Sequence, residues 1–439
     1  MLSSARHADV VIIGAGVAGL SAAHRLIGAG VSCTVLEAAG HVGGRLGTRT
    51  LDGFRLDLLG PLLSPQPGGA PLAPGLEALE LREFASGVLV HSGGRRHPVG
   101  PFRGARGAFR AVRARPGALH PFPAHRGAAV VGALDQARLG AALARLAATP
   151  PDRLWSRPER AAAELSAARG LPARTVGGVL HPLLTALLSD PELVSSGRCA
   201  DLVLRDYARG GLAVPAGGAA ALPELLAAAL PAGTVRTGVH VTGAGINRVV
   251  TKDHGELDCR SLLLATGAGA AAELLPGLRV PDFHPVTVVH HAAPAPPPGG
   301  SSLLLDADRS GPVAYTAVMS EVDPSRAPEG RALVTSTLLG APPQHLDRAV
   351  RTQLASLYGT DTGGWELLAV HHDREAVPVM RPPHDPRRPV RILSGLYVCG
   401  DHRDTSTVRG ALRSGRRAAS WILRDLGVRE AEPSYTGVA

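Results

Sequence analysis

The feature that most constrains the fold is the segment Gly14-Ala15-Gly16-Val17-Ala18-Gly19, which joins an apolar run at residues 10–13 to a stretch of helical composition at residues 17–27. A second apolar run follows at residues 31–36. Short connections of this kind predict a βαβ unit with parallel strands, whose sheet is covered by helices on both faces. The sequence therefore predicts an α/β fold that contains a Rossmann-like domain.

The same glycines indicate a dinucleotide site. In this pattern the first glycine permits a tight turn, the second lets the backbone approach a pyrophosphate, and the third lets the helix pack on the strand. The first turn of the helix presents free N–H groups to the anion. Glu37 ends the second strand, where a carboxylate binds ribose hydroxyls. The alternative is an ordinary βα turn followed by a solvated glutamate.

Composition excludes several classes of protein. The 439 residues are 45% hydrophobic, which is enough to bury a large core. The formal charge is +9, but only 3% of residues are aromatic, so we expect no nucleic-acid partner that stacks on aromatic side chains. Lys252 is the only lysine, and the abundance of arginine is typical of a GC-rich genome.

The cysteines and the hydropathy pattern predict neither a metal site nor a membrane span. The four cysteines form no CxxC pair, so neither zinc nor a disulfide framework is indicated. No run of about 18 apolar residues occurs, and the first nine residues do not resemble a secretion signal. We therefore expect a cytoplasmic protein; the oligomeric state stays open.

Further motifs carry a resemblance to a known superfamily. Gly43-Gly44-Arg45 follows Glu37, and Gly395-Leu396-Tyr397-Val398-Cys399-Gly400-Asp401 precedes Gly410-Ala411 at the start of a C-terminal helix. With these motifs the chain resembles the flavin amine oxidases and the phytoene desaturase-like FAD-dependent oxidoreductases. Two internal segments, Val239-His240-Val241 and Ala265-Thr266-Gly267, also match that superfamily. The resemblance implies FAD as the cofactor.

The fingerprint and the resemblance together indicate these cofactor-binding residues: Gly14, Gly16, Ala18, Gly19, Glu37, Gly43, Gly44, Arg45, Val241, Thr266, Gly267, Gly400, Asp401, Gly410 and Ala411. By the resemblance, Arg45 lies near the FAD diphosphate and Asp401 binds the diphosphate or the ribityl chain. The main chain of Val241 contacts adenine. The positive end of the helix at Gly410 stabilises negative charge on reduced flavin. The string from Gly267 to Ala272 also fits a second nucleotide pattern, for NAD(P)H, but no acidic residue follows at ribose distance.

The resemblance implies a discontinuous FAD-binding domain of the two-dinucleotide-binding type, formed by residues 1–75, 210–285 and 385–439. An interleaved α+β substrate domain would comprise residues 76–209 and 286–384. Helices are expected at residues 135–147, 159–169 and 172–188, and strands of a second sheet at residues 284–291, 311–320 and 331–338. The Pro, Gly and Arg-rich stretch from about residue 68 to residue 127 has no clear pattern.

The expected reaction is dehydrogenation of a C–C or C–N bond in a small or lipophilic molecule, with hydride transfer to flavin N5 and reoxidation by oxygen or a quinone-like acceptor. Many flavin amine oxidases carry a lysine on a strand of the substrate domain, and Lys252 does not occupy such a strand. Few aromatic residues are available for an amine cage. A flavin amine oxidase and a non-catalytic FAD-binding protein remain alternatives.

Candidate substrate-site residues are less clearly marked. The segment 371–382 resembles a desaturase motif but has Glu375 where the motif has proline, and no catalytic residue is assigned. His290 and His291 fall on a predicted strand and therefore face opposite sides. His402 is a candidate for contact around the diphosphate. The arginines of residues 95–115 suit a solvated loop, a patch for peripheral membrane contact, or capture of an anionic substrate.

Overall fold

The computed structural model describes residues 7–65, 73–100, 132–167 and 170–428. Its described part is a mixed α/β fold built on two large sheets. The first sheet has eight strands, namely β1 (His7–Ile13), β2 (Cys33–Leu36), β9 (Val235–Arg236), β10 (Val241–Ala244), β11 (Arg248–Thr251), β12 (Gly255–Leu264), β18 (Arg391–Leu393) and β19 (Leu396–Val398).

Parallel pairing places the carboxyl ends of the central strands of this sheet together. β1 lies between β2 and β12, β9 pairs with β2, and β19 pairs with the second half of β12, all in parallel. Val10, Val11 and Ile12 of β1 have no exposed surface. Such a continuous apolar run is required of a strand that is covered on both faces. The predicted βαβ unit is confirmed.

The described helices are α1 (Val17–Gly28), α2 (Ala133–Ala148), α3 (Pro151–Trp155), α4 (Ala162–Ala167), α5 (Ala173–Thr175), α6 (His181–Leu188), α7 (Gly197–Gly210), α8 (Ala221–Ala228), α9 (Ala268–Leu274), α10 (Met319–Val322), α11 (Leu346–Tyr358) and α12 (Val408–Asp425). A π-helical turn, Val176–Leu180, joins α5 to α6. Short 3₁₀ turns occupy Gly44–Leu46, Pro324–Arg326 and Asp401–Arg403.

Helices α1 and α12 pack together on one face of the first sheet. A Cβ atom on Gly415 would lie 2.0 Å from the carbonyl oxygen of Ala18, so only glycine permits this approach. The hydroxyl of Ser21 donates to the carbonyl of Leu412 at 3.1 Å across the contact. This packing fixes the N-termini of both helices relative to the ends of the strands.

The second sheet has seven strands, in the order β17-β13-β16-β15-β14-β6-β7. They are β6 (Val88–Ser92), β7 (Arg95–Val99), β13 (Phe283–Ala293), β14 (Leu304–Asp306), β15 (Val313–Val318), β16 (Ala332–Leu339) and β17 (Glu366–Pro378). β3 (Thr48–Leu51) and β4 (Phe54–Asp57) form a hairpin, and β5 (Leu81–Glu83) pairs antiparallel with the distant β8 (Ala213–Pro215).

The predicted strands of the second sheet and the three predicted helical stretches are present, with bounds that differ by a few residues. Strand β17 was not predicted, because its irregular burial gives no alternating pattern. Arg95 and Arg96 lie on β7, whereas the arginines of residues 103–115 lie outside the described residues. Among the described helices, none combines the length and the apolar character that crossing a membrane requires.

Candidate functional site

A cavity of about 890 Å³ opens where the carboxyl ends of β1, β2 and β12 face the second sheet. Its wall takes residues from both sheets and from the loops between them. Ligand sites in open α/β sheets are expected at this end of the strands. Of the residues predicted to bind the cofactor, those on the wall are Gly14, Gly16, Ala18, Glu37, Gly43, Gly44, Arg45, Val241, Thr266, Gly267, Gly400, Asp401 and Ala411.

The glycine-rich turn has the backbone geometry that its sequence predicts. Gly14 has φ +106°, a conformation that favours glycine, and its N–H donates to the carbonyl of Leu36 at 2.7 Å. Gly16 is the N-cap of α1, and no described atom lies within 4 Å of the place where its Cβ would stand. A Cβ on Gly19 would lie 2.1 Å from the carbonyl oxygen of Gly14. Gly19 thus packs the helix on the turn, while Gly16 borders open space.

Glu37 is held in place at the end of β2. Its carboxylate accepts the N–H of Ala15 at 2.8 Å and the N–H of Ala39 at 2.9 Å. Each oxygen therefore has a backbone donor, and each retains a lone pair for another donor. Since Glu37 lines the cavity, its carboxylate is available to the hydroxyls of a ribose.

Arg45 and Asp401 form an ion pair on the cavity wall. Nη2 of Arg45 lies 2.8 Å from Oδ1 of Asp401, and Nη1 donates to the carbonyl of Ala376 on β17 at 2.6 Å. Burial acts to raise the pKa of the Asp401 carboxyl, but the neighbouring Arg45 opposes that effect, and the pKa lies below its ordinary value. Burial opposes the charged form of Arg45, yet Asp401 raises its pKa above the ordinary value. Both groups are therefore charged at neutral pH.

The C-terminal helix points its first turn at the same wall. The hydroxyl of Thr407, the N-cap residue of α12, accepts the N–H of Gly410 at 3.0 Å, and Ala411 lines the cavity. Gly410 itself lies off the wall; a Cβ there would be 1.9 Å from the carbonyl oxygen of Thr405. Like Gly19, Gly410 permits close packing, and its predicted contact with the cofactor stays a prediction.

The two internal segments reach the cavity on the side of Glu37. Val239, His240 and Val241 line it just before and at the start of β10. Thr266 and Gly267 line it after β12, and Gly267 is the N-cap of the seven-residue helix α9. A Cβ on Gly269 would lie 2.6 Å from the carboxylate of Glu375, so this glycine lies beside the end of a flexible acidic side chain.

These features fit the two phosphates and the ribose of FAD. Open space lies beside Gly16 and also beside Gly44, where no described atom is within 4 Å of the place that a Cβ would occupy, and both glycines line the cavity. The N-terminus of α1 supplies positive potential, which favours an anionic diphosphate, and Arg45, whose charge Asp401 balances, retains N–H donors for it. The carboxylate of Glu37 supplies acceptors for the ribose.

The remaining wall is largely apolar, and no motif in the sequence indicated it. It is formed by the loop after β4, by the segment that leads into β5, by α6 and α7, and by the second sheet. Its apolar members include Leu59, Leu62, Leu63, Leu79, Leu81, Ala186, Leu187, Val203, Val286 and Val288. Alternation on β13 brings Val286 and Val288 to the same side, a signal that was present in the sequence. Nothing in the local sequence indicated that the loop after β4 and α6 would form one wall.

A few polar side chains interrupt this apolar wall. Tyr315 on β15 is the register partner of Thr337 on β16, and both line the cavity. Burial raises the pKa of Tyr315, although the hydrogen bond with Thr337 opposes that effect. Asp206 of α7 and Arg409 of α12 also line the cavity. Burial lowers the pKa of Arg409, while Asp206 acts to raise it.

His290, His291 and His402 do not line the cavity. Nε2 of His290 lies 2.9 Å from the carbonyl oxygen of Asp57, and Nε2 of His291 lies 3.0 Å from Oδ1 of Asp347. Burial lowers the pKa of His402, the neighbour of Asp401, to about 4, so its ring is neutral at pH 7. Lys252, in the turn after β11, also lies off the wall.

The segment predicted to resemble a desaturase motif forms the end of β17. Its residues Asp373, Glu375, Ala376 and Val377 line the cavity, whereas His371 and His372 do not. Asp373 and Glu375 are acidic, and both act to raise the pKa of Arg45. The segment therefore borders the ion pair of Arg45 and Asp401 as well as the apolar wall.

A family model and several solved structures match most of the chain. Residues 17–423 match the model of the family described as flavin-containing amine oxidoreductase. Putrescine oxidase from Kocuria rosea is 51% identical over 57 residues, which are 13% of this chain and only 12% of that relative.

Two solved structures are similar over nearly their whole length. An oxidoreductase from Methanosarcina mazei has a TM-score of 0.70 at 18% identity, with 94% of this chain and 99% of that chain covered. A putative protoporphyrinogen oxidase from Exiguobacterium sp. has a TM-score of 0.67 at 17% identity, with 97% and 100% covered. At these identities the likeness concerns the fold.

Proposed function

The chain belongs to the flavin-containing amine oxidoreductase family and is an FAD-dependent oxidoreductase. We propose that it dehydrogenates a C–C or C–N bond of a largely apolar small molecule. The observation that supports this substrate class is the apolar wall, which contains Leu62, Leu187 and Val288. Burying such surface against a ligand stabilises the complex by roughly 25 cal/mol per Å² of apolar area. A strongly polar substrate would lose hydration here without finding replacement hydrogen bonds.

The cofactor would lie along the residues of the first sheet. The N-terminus of α1, together with Gly43 and Gly44, would hold the diphosphate, and the carboxylate of Glu37 would bind ribose hydroxyls. The main chain at Val241 would face the adenine. The N-terminus of α12 would face the ring system, where its positive end favours negative charge. In this proposal the FAD-binding domain comprises residues 1–75, 210–285 and 385–439, and residues 76–209 and 286–384 form the substrate domain.

When bound, FAD supplies the hydride acceptor at N5, so the protein's own task is to position the substrate and exclude water. The apolar wall gives the substrate its orientation by shape. Tyr315 and Thr337 supply hydroxyls at one place on that wall, where they can fix a single polar atom of the substrate. Lys252 lies off the wall, so no step is assigned to a lysine.

Amine oxidation is the second candidate, and Asp206 favours it. Asp206 lines the cavity, its side chain is 27% exposed, and its Oδ1 lies 3.3 Å from Nη1 of Arg205. A carboxylate at this position could pair with the ammonium group of an amine substrate. The relative from Kocuria rosea is a putrescine oxidase, which makes a diamine a sensible test compound.

Anaerobic mixing of the FAD-loaded protein with two substrate panels distinguishes these candidates. One panel contains lipophilic cyclic and polyene compounds with saturated C–C bonds, and the other contains putrescine and other primary amines. We expect the flavin absorption to bleach with a member of the first panel. Oxygen and a soluble quinone, added afterwards, identify the electron acceptor.

Two variants link that result to the wall. Leu187→Gln should slow bleaching by the apolar substrate while the affinity for FAD is unchanged, and Leu134→Gln, at an exposed position on α2, is the matched control. Faster bleaching by an amine, abolished by Asp206→Asn but kept in the exposed control Asp253→Asn, would establish amine oxidation instead.

A further inference from the structure

His91 is a buried histidine with no partner for either ring nitrogen among the described residues. It lies on β6 with 3% of its surface exposed. An unpaired polar atom in such a position costs about 1–3 kcal/mol relative to a paired one. The wall of the cofactor cavity does not include this residue.

Two carboxylates face this histidine. Nδ1 of His91 lies 3.9 Å from Oδ1 of Asp306 and 3.9 Å from Oδ2 of Asp308. These distances are too long for hydrogen bonds. All three ligand-type atoms lie within 4.8 Å of one another. The arrangement leaves a small space bordered by one imidazole nitrogen and two carboxylate oxygens.

Both carboxylates are oriented by other groups. Oδ2 of Asp306 accepts from Nε2 of Gln353 at 2.7 Å and from Ser310, so that Oδ1 is directed toward His91. The carboxylate of Asp308 accepts hydrogen bonds from the hydroxyl of Ser92 and from the N–H of Gly93, both at 2.7 Å. Partners of this kind hold metal-ligating carboxylates in position in known sites.

We propose that His91, Asp306 and Asp308 bind a divalent first-row transition-metal ion, for which Zn²⁺ is the probe. With bonds of about 2.0–2.1 Å in a tetrahedral site, neighbouring ligand atoms lie roughly 3.3 Å apart. The observed 3.9 Å requires only a small contraction. One imidazole and two carboxylates suit zinc better than Mg²⁺ or Ca²⁺, which prefer oxygen ligands throughout.

The ion would connect segments that are far apart in the sequence. His91 and Asp306 are register partners on the parallel strands β6 and β14, and Asp308 lies in the turn that follows. The side chain of Asp308 is 36% exposed, so a water molecule can complete the coordination from the solvent side. The site would therefore stabilise this edge of the second sheet.

The test is zinc binding by tag-free, FAD-loaded protein that has been treated with a chelator and dialysed. Isothermal titration should give one strong Zn²⁺ site per chain, and elemental analysis should find that ion retained after dialysis. Zn²⁺ should raise the melting temperature, because a ligand that binds only the folded state stabilises it. Mg²⁺ at the same concentration should give a smaller rise.

Two ligand variants and two controls make the assignment specific. His91→Ala and Asp308→Asn should each weaken zinc binding by about tenfold or more, a loss that even outer partners of metal sites can produce. His254→Ala and Asp253→Asn change the same residue types on an exposed turn and should leave binding unchanged. Asp308 is partly exposed, so its variant is expected to fold even where His91→Ala does not.

Several results would overturn the proposal. Wild-type protein without a strong zinc site would show that His91, Asp306 and Asp308 do not form a metal site. Binding that persists in both ligand variants would place the ion elsewhere. If Mg²⁺ raised the melting temperature as much as Zn²⁺ does, the imidazole of His91 would not be a ligand.

Discussion

Replacing Gly16 and Gly19 one at a time separates cofactor binding from folding. A Cβ on Gly19 would lie 2.1 Å from the carbonyl oxygen of Gly14, well inside the 3.0 Å that real Cβ atoms keep. At Gly16 nothing lies within 4 Å of that position, and its φ of −72° is open to alanine. We expect Gly19→Ala to impair folding and Gly16→Ala to impair FAD binding.

The magnitudes follow from those distances. In Gly19→Ala the helix α1 must move by about 1 Å from a tightly packed turn, and overpacking of this kind costs about 1–3 kcal/mol. In Gly16→Ala the unfolding free energy should fall by no more than about 1 kcal/mol, since alanine is a poorer N-cap than glycine. Loss of one charge-assisted bond to the diphosphate costs about 2 kcal/mol, or roughly thirtyfold in Kd.

Two measurements on FAD-free protein distinguish these effects. Urea unfolding gives the free energy of unfolding, and quenching of flavin fluorescence on titration gives the Kd for FAD. Gly28→Ala is the matched control, because Gly28 lies on the same helix, is exposed, and has no atom within 4 Å of its Cβ position. Its unfolding free energy should change by at most about 1 kcal/mol and its Kd should not change.

One result would refute this reasoning directly. If Gly16→Ala binds FAD as tightly as the wild type does, the first turn of α1 cannot lie against the diphosphate. If Gly19→Ala is also as stable as the wild type, the contact between the helix and the turn does not limit packing there.

Two further predictions concern buried charge. Arg326 is 1% exposed, and its guanidinium pairs with Asp57 at 2.9 Å. Arg326→Met should therefore lower the unfolding free energy by about 3–5 kcal/mol, whereas the exposed control Arg248→Met should lower it by less than about 1 kcal/mol. Equal losses for the two variants in urea unfolding would contradict this prediction. Burial lowers the pKa of His290 to about 4, so the unfolded chain takes up a proton between pH 6.5 and pH 4 that the folded chain does not. Stability should therefore fall by up to about 3 kcal/mol across that window, and the decline should be shallower in His290→Gln but not in His254→Gln.

The cofactor end of the site could be predicted because its signals are local. Gly14, Gly16 and Gly19 each satisfy a backbone requirement within one turn, and Glu37 follows on the next strand. The C-terminal segment is equally local, since Asp401 and the start of α12 are separated by one short loop. The pairing of Arg45 with Asp401 is long-range, and the sequence indicated both residues without indicating that they touch.

The substrate end could not be predicted because its members meet through tertiary packing. Tyr315 and Thr337 come together only when β15 and β16 adopt their register. Arg409 stands beside a glycine that the sequence did indicate, but nothing local shows that its side chain reaches the cavity. His91 and Asp306 are likewise brought together by a parallel pairing that no spacing motif reveals.

The two ends of the site are nevertheless physically connected, and Arg45 is the connection. Its guanidinium contacts Asp401 after the first sheet and the carbonyl of Ala376 on β17 of the second sheet. These contacts use two of the five N–H groups, so a diphosphate that binds the remaining three would act on the same rigid guanidinium that contacts β17. The position of β17, which also borders the apolar wall, is therefore sensitive to what occupies the cofactor end.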